Sequence, residues 1–374
     1  MNMKRYGVKV YIKTFGCQMN VYDSEIMAGL LLVKGYEIAE DMNEADIILL
    51  NTCSIRKKAE DKVYSQLGVL KKLKEKNPDL ILGVGGCMAQ REGKEIFKRV
   101  SSVDLIFGTQ QICNLPTILN KVMQERKKVM VIEEERIGPE EVKAYRKDKA
   151  KAYVAIMRGC NNHCTYCVVP SARGRQRSRI SKGIIREIEN LAKEGYKEVT
   201  LLGQNVTAYG KDLGGIDFAD LLERINEIEG IEKIRFITSH PKDMSDRLIR
   251  TLPRLSKVCE DLHLPVQSGS NRILKDMNRG YTREAYLKII GKIRSLIPRT
   301  SVTTDIIVGF PGEREEDFVD TLSLMEEVRF ASAYMFKYSS RPGTPTERML
   351  DQIPEETKLK RLHKVIDLQR AISK

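Results

Sequence analysis

Short apolar runs alternate with helically spaced segments along nearly the whole chain, and that alternation restricts the fold. Parallel strands need a crossover between them, and a helix is the compact way to supply it. In the first part the apolar runs are 8–15, 45–50, 80–84 and 103–107, with helical spacing over 23–33 and 62–74. This predicts an open parallel-sheet α/β domain over residues 1–135. The stretch 133–151 (EEERIGPEEVKAYRKDKAK) is charged, carries Gly138-Pro139 and lacks apolar periodicity, so a linker is expected over 136–151. Six further runs follow at 152–157, 198–202, 233–238, 261–265, 302–308 and 333–338, separated by helical patterns at 184–192, 218–228, 245–255, 284–296 and 315–328. Six βα units predict a partial (β/α)6 barrel over 152–345 rather than a closed eight-unit one. A basic amphipathic helix is expected within the tail, 346–374.

Composition narrows the class of partner. The 374 residues carry 64 basic and 51 acidic side chains, a formal charge of +13, which favours a polyanion such as nucleic acid. No apolar run approaches the roughly 18–20 residues of a spanning helix. Met1–Tyr6 leads straight into a strand, against a signal peptide. Eight cysteines in a chain of this size fit metal chemistry in a reducing, cytoplasmic compartment better than a disulfide framework. A monomer is expected.

Six of the eight cysteines fall into two sets. Cys160, Cys164 and Cys167 are spaced C-x3-C-x2-C directly after the run 152–157. Three thiolates on one tight loop can hold three irons of a 4Fe–4S cube and leave the fourth open to a ligand. Zinc is the rival, with His163 inside the loop as a fourth ligand, and three idle buried cysteines are the bland alternative. Cys17, Cys53 and Cys87 each follow an apolar run, where the C-terminal strand ends of a parallel sheet form one edge. They define a second three-cysteine site, against the alternative of three unrelated core residues. Cys113 and Cys259 share neither pattern and are read as structural, and His263 as a core histidine.

The ends of the barrel strands carry 203–205 (GQN), 239–241 (SHP), 267–270 (QSGS) and 309–313 (GFPGE). Small and amide-bearing residues at successive mouths of one barrel suit a polar cofactor containing a nucleoside. After the cluster loop, 171–179 (SARGRQRSR) holds Arg173, Arg175, Arg177 and Arg179 with no acid among them. Arginine forks suit phosphate oxygens, so the run is a candidate nucleic-acid contact, against the alternative of a solvated face.

The C-x3-C-x2-C loop at the first strand of a six-unit barrel, with Tyr166 before the third cysteine, resembles the radical S-adenosylmethionine (SAM) superfamily. Segments 11–24 (YIKTFGCQMNVYDS), 50–56 (LNTCSIR), 84–88, 160–170 (CNNHCTYCVVP), 202–206 (LGQNV), 238–241, 263–270 (HLPVQSGS) and 307–313 are similar to the methylthiotransferase family within it. The resemblance runs from about Tyr11 to about Pro345. It implies an enzyme with two 4Fe–4S clusters, one on Cys160, Cys164 and Cys167 and one on Cys17, Cys53 and Cys87. SAM would bind the open iron of the former and be cleaved to a 5′-deoxyadenosyl radical, with an external electron donor. Tyr166, Gly203, Gln204, Asn205, Ser239, Gly309 and Glu313 match segments that line the family's SAM pocket. The implied substrate is an isopentenylated adenosine beside the tRNA anticodon, methylthiolated at ring carbon 2. Alternatives are the sister reaction on threonylcarbamoyladenosine and a zinc-stabilised RNA-binding protein without catalysis. The family usually carries a C-terminal TRAM module that helps hold tRNA, and this sequence stops where one would begin.

Overall fold

The computed structural model describes residues 7–54, 57–133 and 142–374. Parts of the stretches singled out above lie outside them: Met1–Tyr6, Ile55, Arg56 and residues 134–141 with Gly138-Pro139. The chain divides into two units, Met1–Asp148 with Ser171–Gly174, and Lys149–Pro170 with Arg175–Lys374.

The first unit is built on β1 (Lys9–Thr14), β2 (Glu37–Ile38), β3 (Ile47–Thr52), β4 (Ile81–Gly86), β5 (Leu105–Phe107) and β6 (Val129–Val131). All pairings are parallel, in the order β2-β1-β3-β4-β5-β6. Every residue of β3 and β4 is buried, as expected for strands covered on both faces. The helices are α1 (Gln18–Val33), α2 (Lys57–Lys76), α3 (Cys87–Glu92), α4 (Lys94–Arg99) and α5 (Leu115–Glu125). The chain runs from β1 outward to β2, then returns to the other side of β1 with β3. Ligand crevices in open α/β sheets form at such a reversal, outside the carboxyl ends of the strands.

Two features of this unit were not legible beforehand. β6 is only three residues long and shows no periodicity. Part of the expected linker is packed: Ala144 and Arg146 are buried, Tyr145 N donates to Glu25 O at 2.9 Å, and Lys147 pairs with Glu40. A Cβ at Gly29 of α1 would come within 2.0 Å of Lys143 O, so the segment lies directly on that helix.

The second unit contains β7 (Lys151–Ala155), β8 (Met157–Arg158), α6 (Val169–Arg173, whose last three residues belong to the first unit), β9 (Arg177–Ser178), α7 (Ser181–Lys193), β10 (Glu198–Leu202), α8 (Phe218–Asn226), β11 (Lys233–Phe236), α9 (Asp246–Thr251), β12 (Asp261–His263), α10 (Asn271–Asp276), α11 (Arg283–Leu296), β13 (Ser301–Val308), α12 (Glu315–Val328), β14 (Ser332–Lys337) and α13 (Glu355–Ile372). β7, β10 and β11 pair in parallel and in chain order, as do β12, β13 and β14. A single parallel bridge, Ile234 to Val258, joins the two triplets, with Cys259 N donating to Ile234 O at 2.9 Å. The result is the partial six-stranded barrel. β13 alternates buried and half-buried residues throughout, with Val302, Thr304, Ile306 and Val308 inward.

Some local expectations change. The helix expected over 245–255 ends at Thr251 and continues as a 3-10 turn, Leu252–Arg254, because Pro253 cannot extend it. Cys259 is half-buried at the interstrand bridge rather than in the core. His263 is also half-buried, with Nδ1 2.9 Å from Thr303 Oγ1. The buried stripe of α13 is Lys358, Arg361, Val365 and Gln369, mostly polar, with Arg361 donating to Glu313 and Gln369 to Phe330 O.

Candidate active site

In the first unit, β1, β3 and β4 are adjacent and end level with one another, Thr14 beside Asn51 and Thr52 beside Gly86. Cys17, Cys53 and Cys87 follow those ends: Cys17 caps α1, Cys53 is the residue after β3, and Cys87 opens α3. Two glycines permit the approach. Gly16, at φ +120°, would put a Cβ 2.3 Å from Cys53 Cβ, and Gly86, at φ +91°, would put one 2.4 Å from Asn51 Oδ1. An L-residue at either position would clash and sit in a disfavoured region of backbone space.

Buried polar side chains surround these thiols. Cys17 Sγ lies 3.4 Å from Asn20 Oδ1, and Asn20 Nδ2 donates to Thr52 O at 3.0 Å. Arg173 Nε donates to Cys87 Sγ at 3.2 Å. Burial pushes the Cys87 thiol up, and the guanidinium of Arg173 pulls it back down. Burial also opposes the charge of Arg173, but Asp23, Cys87 and Cys17 hold its pKa above the ordinary value. Arg173 is therefore not presented to a phosphate backbone, contrary to the expectation from its run. Its neighbours in that run differ from one another. Arg175 and Arg177 are exposed, while Arg179 is half-buried and donates to Ala155 O at 2.7 Å and Glu187 Oε2 at 2.8 Å. The alternation in β9 and the packing against α7 separate side chains that sequence proximity groups together.

In the second unit, the loop carrying Cys160, Cys164 and Cys167 leaves β8 and is fastened at several points. Asn278 Nδ2 donates to His163 O at 2.8 Å, Thr165 Oγ1 to Asp276 O at 2.8 Å, and Cys167 N to Cys164 O at 3.0 Å. Each sulfur has an N–H donor near it: Asn162 N at 3.4 Å from Cys160, Val169 N at 3.5 Å from Cys167, and Arg279 Nη1 at 3.5 Å from Cys164. Burial raises the Cys160 thiol against the Asn162 amide, and raises Cys167 to about 12 against the Val169 amide. His163, which would complete a zinc set, is exposed. Among the described residues, no three Cys, His, Asp or Glu side chains close into a ligand group, and the thiols hydrogen-bond locally.

The mouth beside this loop holds most of the remaining candidates. Gly203, Gln204 and Asn205 follow β10. Gln204 accepts from Gly159 N, and Asn205 Nδ2 donates to Asp243 Oδ2 at 2.6 Å. Asp243 also accepts from Asn162 Nδ2 and Lys211 Nζ. Burial alone would raise its carboxyl, but Lys211, Asn205 and Asn162 hold it below the ordinary value. A cavity of about 200 Å³ opens here, lined among others by Asn161, Asn162, Gln176, Asn205, Lys211 and Asp243. Among the buried polar atoms without a hydrogen-bond partner are Ser239 Oγ, His240 Nε2 and Gln267 Oε1 at this mouth. Thr238 and Gln267, just past β11 and β12, have φ of +70° and +75°. Strain and unsatisfied polarity of this kind concentrate at ligand sites.

Tyr166 is half-buried and packs with Phe310 and Tyr338. Gly309 and Glu313 follow β13. Glu313 is fully enclosed, accepting from Gly309 N at 2.6 Å and from Arg361 Nη1 of α13 at 2.7 Å, so it braces its own loop. Sequence reading missed Arg279, Asp243, Lys211 and Arg361. None belongs to a cysteine or glycine motif, and each acquires its role through distant partners.

Two family profiles match the chain: one described as an uncharacterized protein family, UPF0004, over residues 9–108, and one for the radical SAM superfamily over residues 154–325. A tRNA-2-methylthio-N(6)-dimethylallyladenosine synthase from Carboxydothermus hydrogenoformans is 52% identical over 97% of this chain and 83% of its own length. One from Clostridium botulinum is 52% identical over 100% of this chain and 84% of its own length. Among solved structures, the radical SAM methyltransferase TsrM from Kitasatospora setae superposes with a TM-score of 0.65 at 15% identity, covering 91% of this chain and 75% of that one, which supports the fold alone. With about half of its residues identical to these synthases along nearly its whole length, the chain belongs to the tRNA-2-methylthio-N(6)-dimethylallyladenosine synthase family of the radical SAM superfamily.

Proposed function

We propose that this chain methylthiolates ring carbon 2 of N(6)-dimethylallyladenosine in a tRNA anticodon loop, using one 4Fe–4S cluster on Cys160, Cys164 and Cys167 and a second on Cys17, Cys53 and Cys87. The observation that carries this reading is the pairing of two three-cysteine sets, each at C-terminal strand ends, in a chain of this family. The polar surroundings of the thiols suit the groups. Each barrel sulfur faces an N–H donor that would offset thiolate charge. Ser239 Oγ, His240 Nε2 and Gln267 Oε1 offer unspent hydrogen bonds to a polar cofactor.

When bound, the cluster and SAM supply reductive cleavage to a 5′-deoxyadenosyl radical, while the second cluster supplies sulfur. The chain's own residues bind and orient. Asp243 ties the cluster loop, through Asn162, to the end of β10, through Asn205. Arg279 fixes the rear of the loop by donating to Pro265 O at 2.8 Å beside Cys164. Asn205 lines the cavity at the mouth, Gln204 holds the start of the cluster loop by accepting from Gly159 N, and the loop at 309–313 is locked by Glu313. A base from a loop suits such a site because it can be unstacked into a pocket. Arg175 and Arg177 are exposed, and Arg175 is the contact offered to the nucleic-acid backbone, with an external reductant supplying electrons.

Anaerobic reconstitution followed by iron analysis tests the cluster count, with about eight irons expected for two cubes. EPR of the reduced protein should shift on adding SAM. Cys160→Ala should abolish 5′-deoxyadenosine formation. Cys53→Ala should retain it while losing the methylthiolated nucleoside in tRNA digests. Cleavage retained in Cys160→Ala, or normal product from Cys53→Ala, overturns the assignment of the corresponding site.

A further inference from the structure

Arg173 is 6% exposed, in the segment Ser171–Gly174 of the first unit. Its guanidinium serves three partners in that unit: Nε donates to Cys87 Sγ at 3.2 Å, Nη1 to Asp23 Oδ2 at 2.6 Å, and Nη2 to Asn20 Oδ1 at 3.2 Å. The same Asn20 oxygen lies 3.4 Å from Cys17 Sγ, and its amide nitrogen holds Thr52 O, the residue before Cys53. One planar fork thus touches one sulfur directly and reaches the supports of the other two. A buried ion pair is a poor way to gain stability alone, since well-packed apolar residues often do as well. The Asp23 contact does, however, lock the direction of the fork, and a locked fork keeps its Nε–H on the sulfur.

We propose that Arg173 is the positioning residue of the Cys17, Cys53 and Cys87 site, orienting Cys87 as an iron ligand and raising the reduction potential of the cluster held there. The proposal rests on the reading that these three cysteines hold a cluster. Reduction adds one negative charge to the cluster, and a buried cation with an N–H donor on a ligand sulfur stabilises the more negative state. Lysine could keep the charge but not the fork.

The test uses the full chain with C160A, C164A and C167A combined, so that only the second cluster remains. Midpoint potential is followed by EPR during titration with dithionite, which supplies the single electron, and iron content and thermal melting are recorded alongside. R173Q should shift the reduction equilibrium at least tenfold toward the oxidised cluster, about 59 mV lower for a one-electron couple. R173K should shift it in the same direction by less. A residue that only stabilised the fold would lower the melting temperature and leave the potential unchanged. Iron bound at an unchanged potential in R173Q therefore overturns the proposal while the cluster reading stands. No iron in the parent triple variant overturns the cluster reading itself. If R173Q does not fold, R173K, which retains the pair with Asp23, decides by the same criterion.

Discussion

His240 illustrates how strongly single residues are constrained at the barrel mouth. Its Nδ1 accepts from Lys242 N at 3.2 Å, which fixes the neutral tautomer. Burial, then the Arg279 cation, drives its pKa down to about 3; Asp243 opposes them and Lys242 and Lys211 reinforce them. A histidine whose folded pKa is depressed binds fewer protons than its unfolded form between that value and about 6.5. Stability is therefore intact above the unfolded pKa and falls as pH drops toward the folded one. Between pH 7 and pH 5 this group should remove about 2 kcal/mol of unfolding free energy. Urea denaturation at the two pH values checks it: His240→Gln should show that much less acid sensitivity, and an equal loss in both proteins would contradict the assignment.

Among the elements, α13 has a role that its composition hides. Arg361 donates to the enclosed carboxylate of Glu313 and to Glu313 O at 3.0 Å, and Lys358 covers Gly309. The helix therefore holds the loop that follows β13 through buried polar contacts rather than an apolar stripe. Burial holds the Glu313 carboxyl up at about 7 even against Arg361, so Arg361→Met should destabilise the protein by about 3–5 kcal/mol at alkaline pH, where the unpaired carboxyl is charged, and by less at about pH 6, where it takes up a proton. Joint replacement with Glu313→Leu should recover most of the loss, and the coupling is read from the double-mutant cycle. Independent, additive effects would mean that the pair does not act as a unit.

For the molecule as a whole, charge dominates the expected encounter with tRNA. The excess of 13 positive charges supplies the long-range attraction, and counterion release makes binding salt-dependent. Arg175 is exposed, so Arg175→Glu should weaken tRNA binding and flatten the slope of log affinity against log salt by about 1. Arg179 is engaged with Glu187 and Ala155 and should matter through folding instead. Filter binding at several salt concentrations separates these outcomes. Among the described residues, no helix is long and apolar enough to cross a membrane.

The sequence by itself determined the two parallel α/β units, the barrel strands and the grouping of six cysteines into two sets. Those signals are local: a period of hydrophobicity, a spacing of three or four residues, a glycine beside a strand end. Tertiary structure alone decided what each side chain does. The fork of Arg173 reaches Asp23 across 150 positions and Cys87 across 86, and Arg361 reaches Glu313 across 48. An arginine in a basic run and an arginine in a buried fork are the same letter. What separates them is whether the chain's topology brings a carboxylate and a sulfur to it and removes the water, because only then do charge and hydrogen bonding outweigh solvation.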